Sequence, residues 1–169
     1  MSADSGAGVH PLPSSPLHEV RMLQIPIPLH ARAQEHNAEL MREMYLLAQQ
    51  VRESGSQQLP VRLVALVDAL GTQFAGLTTI QDQQLDDAVA ANVAEIDVIY
   101  HIPREAAVAS RLINDMLDEA DQFCRDGHHL LTLATPDDLL RYRRWFLGEF
   151  VDQVDGAAPT PWPDYESRA

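Results

Sequence analysis

Hydrophobic residues change their spacing three times along the chain, each time at a proline. Before the proline they alternate with polar residues, as in a half-buried strand, and after it they recur every three or four residues, as on one face of a helix. The segments are residues 20–25 before Pro26 and Pro28, 96–102 before Pro103, and 129–135 before Pro136. Proline ends a strand because it lacks a backbone N–H, and its fixed φ suits the start of a helix. We therefore predict three strand–proline–helix units.

The helical segments complete the predicted architecture. Apolar residues at helical spacing predict five helices, over about 29–53, 60–74 and 79–92, after Pro103 and after Pro136. In the last of these, Thr135 is predicted as the N-cap residue and Asp138 as the third helical residue. Together the elements predict an α+β fold, with about five helices packed on a small sheet of about three strands.

Composition divides the chain into three parts. Residues 1–18 are rich in Ser, Gly, Pro and Ala, which predicts a disordered N-terminal segment. Residues 19–155 are predicted to form a single α+β domain, because 46% of the whole chain is hydrophobic and can supply a core. Residues 156–169 are predicted to be a Pro-rich flexible tail.

The last predicted helix carries a cluster of basic and aromatic residues, the types enriched at protein-binding hot spots. The predicted partner-binding residues are Arg141, Arg143, Arg144 and Trp145, with Trp162 in the tail as a linear docking element. The alternative is that these arginines pair within the chain, with the acids about one helical turn away: Asp137, Asp138 and Glu149. The helix is apolar on two sides, which is typical of a helix that is central to the core or partly at an interface.

Charge narrows the classes of partner. The chain has 12 basic residues, all of them arginine, and 25 acidic residues, for a net charge of −13. Such a surface repels phosphate backbones and anionic lipids, so we expect neither nucleic acid nor a membrane as partner. No signal peptide and no membrane-spanning segment is recognised, which predicts a cytoplasmic protein.

One histidine is a candidate for phosphotransfer. His36 lies on the first predicted helix, and a phosphoacceptor histidine needs an exposed imidazole in the middle of a helix. The alternative is a surface histidine on a charged helix face. The sequence does not decide between a phosphoacceptor and a surface histidine.

Other reactive residues give weaker signals. Cys124 with His128, His129 and His101 could supply zinc ligands, but Cys124 falls on an apolar helix face, where a thiol packs as a small hydrophobic group. Paired acids such as Asp137 and Asp138 suit a helix N-terminus. We therefore predict no catalytic residue, no metal site and no cofactor.

Three stretches carry a resemblance to known proteins: LQIPIPLHARAQEHNAELMREMYLLA, LLTLATPDDLLRYRRWFLGEFVDQV and APTPW. They resemble small uncharacterised actinobacterial proteins that accompany anti-sigma kinases, STAS antagonists and PP2C-like phosphatases in partner-switching systems. The resemblance covers most of residues 20–162 and carries over no catalytic residue. It implies a non-enzymatic, cytoplasmic regulatory protein that binds a kinase, a STAS protein or a phosphatase.

Two other functions remain as alternatives. The first is a phosphotransfer protein with His36 as phosphoacceptor. The second is a small-molecule sensor whose pocket lies between the sheet and the last helix. The sequence leaves open whether the chain forms a homodimer.

Overall fold

The computed structural model describes residues 16–52, 59–126 and 134–168. Within these ranges the chain forms an α+β fold that is mostly helical, with two strands and six helices. In chain order the elements are β1 (Leu17–Pro26), α1 (Ile27–Arg52), α2 (Leu59–Gln73), α3 (Thr79–Ala90), β2 (Glu95–Pro103), α4 (Arg104–Arg125), α5 (Asp137–Val154) and α6 (Trp162–Glu166). Two strand–proline–helix units therefore form, at Pro26 and Pro103. β1 begins at Leu17, three residues before the predicted strand and within the N-terminal segment predicted to be disordered, the rest of which lies mostly outside the described residues.

The third predicted strand, over residues 129–135, is not confirmed. Residues 129–133 lie outside the described ranges, and Ala134 and Thr135 belong to no strand. The backbone N–H of Thr135 donates to the Asp121 carboxylate (3.0 Å) rather than to a sheet ladder. The sheet of the described residues accordingly has two strands.

β1 and β2 pair in antiparallel fashion, although three helices separate them in sequence. The register changes between Met22 and Ile25, where two residues of β1 face Asp97 alone, which is a β-bulge. Gln24 in the bulge has a φ of 55°, in the left-handed region that non-glycine residues seldom occupy. Its backbone N–H donates to Asp97 Oδ1 (2.7 Å), a contact that stabilises this conformation.

Glutamine side chains occupy both outer edges of the sheet at the same rung. Arg21 faces Ile99 in the register. Gln153 of α5 accepts from the backbone N–H of Arg21 and donates to its carbonyl, each at 2.9 Å. Gln81 of α3 donates to the carbonyl of Ile99 at 2.8 Å. Unpaired backbone groups on an edge strand can pair with another chain, so these amides protect the sheet at this point.

The core consists of two clusters. The first lies between one face of the sheet and the helices α1, α3 and α5, and includes Val20, Met22, Val98, Tyr100, Tyr142 and Trp145. The second lies between α1, α2 and α4, and includes Leu40, Met44, Leu63, Val64, Ala120 and Cys124. The long helix α1 contributes to both clusters, so it links the sheet to the helical part of the fold.

The tail differs from the expectation of a flexible segment. Residues 162–166 form α6, and Trp162 is only 6% exposed, with its side chain in the first core cluster. A large aromatic side chain gains enough from burial to hold a short Pro-rich segment against the domain. The ordered domain therefore extends beyond residue 155.

Candidate functional site

Helix α5 divides the predicted binding residues between the interior and the surface. Arg141 and Arg144 are exposed, whereas Arg143 and Trp145 are 6% and 1% exposed. Because a helix turns by about 100° per residue, neighbouring positions necessarily face different directions. Burial removes Arg143, Trp145 and Trp162 from any contact surface of the described fold, which corrects the sequence-based set. Arg141 and Arg144 remain as the exposed members, and their role in binding stays a prediction.

Arg143 lies in a buried ion cluster between α4 and α5. Its guanidinium pairs with the carboxylates of Asp118 and Asp121, and its Nη1 lies 2.9 Å from Asp121 Oδ2. That contact is an ion pair whose alignment falls short of a hydrogen bond. Arg144 reaches Asp118 from the surface at 3.3 Å. Arg143 and Arg144 thus pair with acids of α4 and not with the predicted Asp137, Asp138 and Glu149. Asp138 instead binds Arg32 of α1 at 2.7 Å.

A hydrogen-bonded chain continues from this cluster to the candidate phosphoacceptor. Asp121 accepts from the backbone N–H of Thr135, and the Thr135 hydroxyl lies 3.0 Å from His36 Nε2. Thr135 therefore links α1 to α4 instead of capping α5, whose N-cap residue is Pro136. His36 is half-buried, and this burial lowers the pKa of its imidazole. A phosphoryl group on Nε2 would break the contact with Thr135, and the phosphoacceptor role stays a prediction.

Trp162 packs against α5 and closes one side of the core. Its ring lies 5.6 Å from that of Tyr142 and 5.4 Å from that of Trp145, both edge to face. The indole N–H of Trp145 donates to the carbonyl of Thr160 at 2.8 Å. The tail residue predicted as a docking element is therefore docked on its own domain.

Glu149 also holds the C-terminal segment, residues 156–168, against α5. The side chain is buried, and Oε2 accepts from the backbone N–H of Thr160 (3.0 Å) and from Gln153 Nε2 (2.7 Å). Burial raises the pKa of this carboxyl, since the charged form loses hydration. Gln153 also bonds the backbone of Arg21, so one chain of hydrogen bonds joins β1, α5 and the C-terminal segment.

An open groove lies between α5 and the C-terminal segment, and we name it the C-terminal groove. It encloses about 380 Å³ and is lined by Arg144, Trp145, Gly148, Glu149, Asp152, Thr160, Tyr165 and Arg168. Two arginines, two acids and aromatic rings line it together. The groove could not be predicted from the sequence, because three of its eight lining residues belong to the tail.

Aromatic side chains pack together at the place predicted for a sensor pocket. Between the sheet and α5, Tyr100 contacts Phe146 and Phe150 edge to face, with ring centroids 6.3 and 5.0 Å apart. A smaller cavity of about 100 Å³ lies instead between α4 and α5, beside Arg104 and Arg111. That volume is below the roughly 300 Å³ at which small-molecule pockets begin.

The zinc candidates are not brought together by the part of the chain that the structure describes. Cys124 is fully buried in the second core cluster, where burial raises the pKa of its thiol. His101 is exposed on β2, with its Nε2 3.8 Å from Glu19. His128 and His129 lie outside the described residues. In the described ranges no group of three or more His, Cys, Asp or Glu side chains could hold a metal ion.

Comparison with known proteins identifies no relative of this chain. The chain has no significant match to a protein-family model, to a curated protein or to a solved structure. Across residues 16–52, 59–126 and 134–168, no helix has the length and apolar character of a membrane span.

Proposed function

We propose that the protein is a non-enzymatic regulatory protein that acts in the bacterial cytoplasm by binding another protein in a partner-switching pathway. One observation carries the proposal: Arg141 and Arg144 are exposed on α5, and Arg144 borders the C-terminal groove. In a chain with a net charge of −13, these two exposed arginines lie about one helical turn apart. Charge complementarity of this kind selects partners and speeds their association.

The arginine pair has little compensation from nearby acids. Arg144 Nη2 lies 3.3 Å from Asp118 Oδ2, and the same carboxylate also pairs with Arg143. Arg141 has no ion-pair partner among the residues that the structure describes, and it lies three positions before Arg144 on the same face of α5. An acidic surface of a partner would complete both pairs.

Three buried groups of the described residues that could take part in catalysis have structural roles, which favours binding over a reaction. His30 is buried, with Nδ1 2.7 Å from the Tyr142 hydroxyl, and burial lowers the pKa of its imidazole. The Cys124 thiol is enclosed in the core and its pKa is raised, so it is a poor nucleophile. Glu149 accepts two hydrogen bonds that hold the C-terminal segment.

The proposed pathway follows from the expectation, drawn from the sequence, that most of residues 20–162 resemble proteins of partner-switching systems. It makes an anti-sigma kinase, a STAS protein or a PP2C-like phosphatase the proposed partner. Affinity capture of the intact protein from its own cell lysate, with and without ATP, tests this directly. We expect mass spectrometry to identify one of these proteins, and we expect the Arg141→Glu/Arg144→Glu variant to lose it. Recovery of the protein alone would overturn the proposal.

A further inference from the structure

The C-terminal groove contains a helical glycine that the fold itself does not require. Gly148 lies in the middle of α5, and a Cβ built on it meets no atom within 4 Å. Glycine inside a helix destabilises the helix relative to alanine, because the unfolded chain gains more conformational freedom. Neither crowding nor a positive φ at this position accounts for the residue. The space above Gly148 instead opens into the groove.

The charges around the glycine indicate what could occupy that space. Arg144 lies on the groove, and Arg168 lines it from the C-terminal segment without an ion-pair partner among the described residues. Of the two acids in the groove, Glu149 is buried and already holds Thr160 and Gln153. Asp152 is exposed, but it is eight residues from Arg144, which is about 12 Å along the helix. The groove therefore presents two exposed guanidinium groups and one exposed carboxylate.

The dimensions suit a short extended peptide. The rise of about 12 Å along α5 from Arg144 to Asp152 corresponds to the length of about four residues of extended chain. The half-buried ring of Tyr165 provides aromatic surface at the groove. A backbone that passes over Gly148 can approach α5 more closely than it could approach any residue with a side chain.

Resting on the proposed binding role, we infer that the C-terminal groove receives a short acidic peptide segment of a partner protein. The main chain of the peptide passes over Gly148, and its carboxylates bind the guanidinium groups of Arg144 and Arg168. Such charge-assisted pairs with arginine are stronger than neutral hydrogen bonds and give directional recognition. The groove therefore fits the main chain of the peptide, and the two arginines select for its acidic side chains.

Gly148→Ala and its matched control Gly71→Ala test the inference. Gly71 is also a helical glycine, in α2, whose added Cβ meets no atom within 4 Å. Both variants should fold, and each should raise the folding equilibrium constant by up to about two- to fivefold, less for Gly71 in the last turn of α2. In Gly148→Ala, however, the added methyl group occupies the space that the peptide needs.

The probe is a displayed library of random peptides of about twelve residues, three times the span of the groove. Selection on the immobilised intact protein should enrich Asp and Glu. Binding of a selected peptide should weaken about tenfold or more in Gly148→Ala and in Arg168→Glu, and it should be unchanged in Gly71→Ala. Peptides without acidic enrichment, an affinity indifferent to Gly148→Ala, or no selected peptide at all would each overturn the inference.

Two further outcomes separate this inference from other occupants and from the proposed function. If analytical ultracentrifugation shows a wild-type dimer that Gly148→Ala dissociates, the groove belongs to a second copy of the chain and the inference fails. If the kinase, STAS protein or phosphatase is captured equally by wild type and Gly148→Ala, the groove is wrong while the regulatory function stands. Loss of all capture by the wild type removes the function itself.

Discussion

Replacing Arg143 by methionine should reveal that this arginine belongs to the fold and not to a binding surface. Methionine retains most of the length of the side chain but removes the guanidinium that faces Asp118 and Asp121. Asp121 is 2% exposed, so its carboxylate would stay buried with only the Thr135 N–H as hydrogen-bond donor. Asp118 is partly exposed and still has Arg144 beside it, so it contributes less to the loss.

The expected cost follows from the burial of the two partners. Removing one member of a buried ion pair leaves an uncompensated charge and destabilises a protein by about 3–5 kcal/mol. Arg144→Met removes a guanidinium that is 49% exposed and shares Asp118, so it should cost at most about 1 kcal/mol. In the double variant Arg143→Met/Asp121→Asn, no buried carboxylate is left at position 121 and the amide oxygen can still accept from Thr135. Most of the lost stability should therefore return.

Urea unfolding followed by tryptophan fluorescence measures these differences. With a slope of about 2 kcal/mol per molar urea, the loss in Arg143→Met corresponds to a midpoint lower by roughly 1.5–2.5 M. Arg144→Met should shift the midpoint by less than about 0.5 M. Equal, small shifts for the two variants would refute the buried ion cluster and return Arg143 to the surface. A double variant no more stable than Arg143→Met would show that Asp121 is not the group left uncompensated.

Three other predictions concern the C-terminal segment and the buried titratable groups. Trp162→Ala should destabilise the protein by about 3–5 kcal/mol in urea unfolding, whereas a cost near zero would mean that the tail is undocked. Glu149 has a raised pKa in the folded state, so its contribution to stability is present below its ordinary pKa and is lost as the pH rises through the raised value. The free energy of unfolding of Glu149→Gln relative to wild type should therefore increase over that pH interval, and a constant difference would contradict the burial of the charge. The thiol of Cys124 should react with a disulfide reagent only after unfolding; fast labelling of the native protein would refute its enclosure in the core.

The local pattern of hydrophobic and polar residues was sufficient to predict much of the fold. The alternation of residues 96–102 predicted β2, and the spacing of Leu40, Met44 and Ala48 predicted the buried face of α1. These predictions succeed because a strand or helix that buries one face must repeat with its own period. The two apolar sides of α5 also have a simple explanation, since Phe150 contacts Tyr100 of the sheet, whereas Val151 and Val154 lie beside α4.

Contacts between distant parts of the chain could not be read in the same way. Trp162 lies in a segment whose prolines and short length predict no structure of its own, and its burial depends on Tyr142 and Trp145. A lone tryptophan in a polar tail is the only signal that the sequence offers. Likewise, Arg143 pairs with acids 22 and 25 positions away, on α4, whereas helix-based reasoning considers only partners within about one turn.

The proposed binding of a partner protein depends on Arg141 and Arg144, the exposed arginines of α5. Its most direct test is the affinity of the captured partner for two charge-reversed variants, Arg144→Glu and Arg62→Glu, measured by isothermal titration calorimetry. The arginines are closely matched, because their side chains are 49% and 51% exposed and their acid partners on α4 lie 3.3 and 3.4 Å away. We expect Arg144→Glu to lose at least about tenfold in affinity for the partner, or 1.4 kcal/mol, and Arg62→Glu to show no change in affinity. Equal affinities for the two folded variants would contradict it.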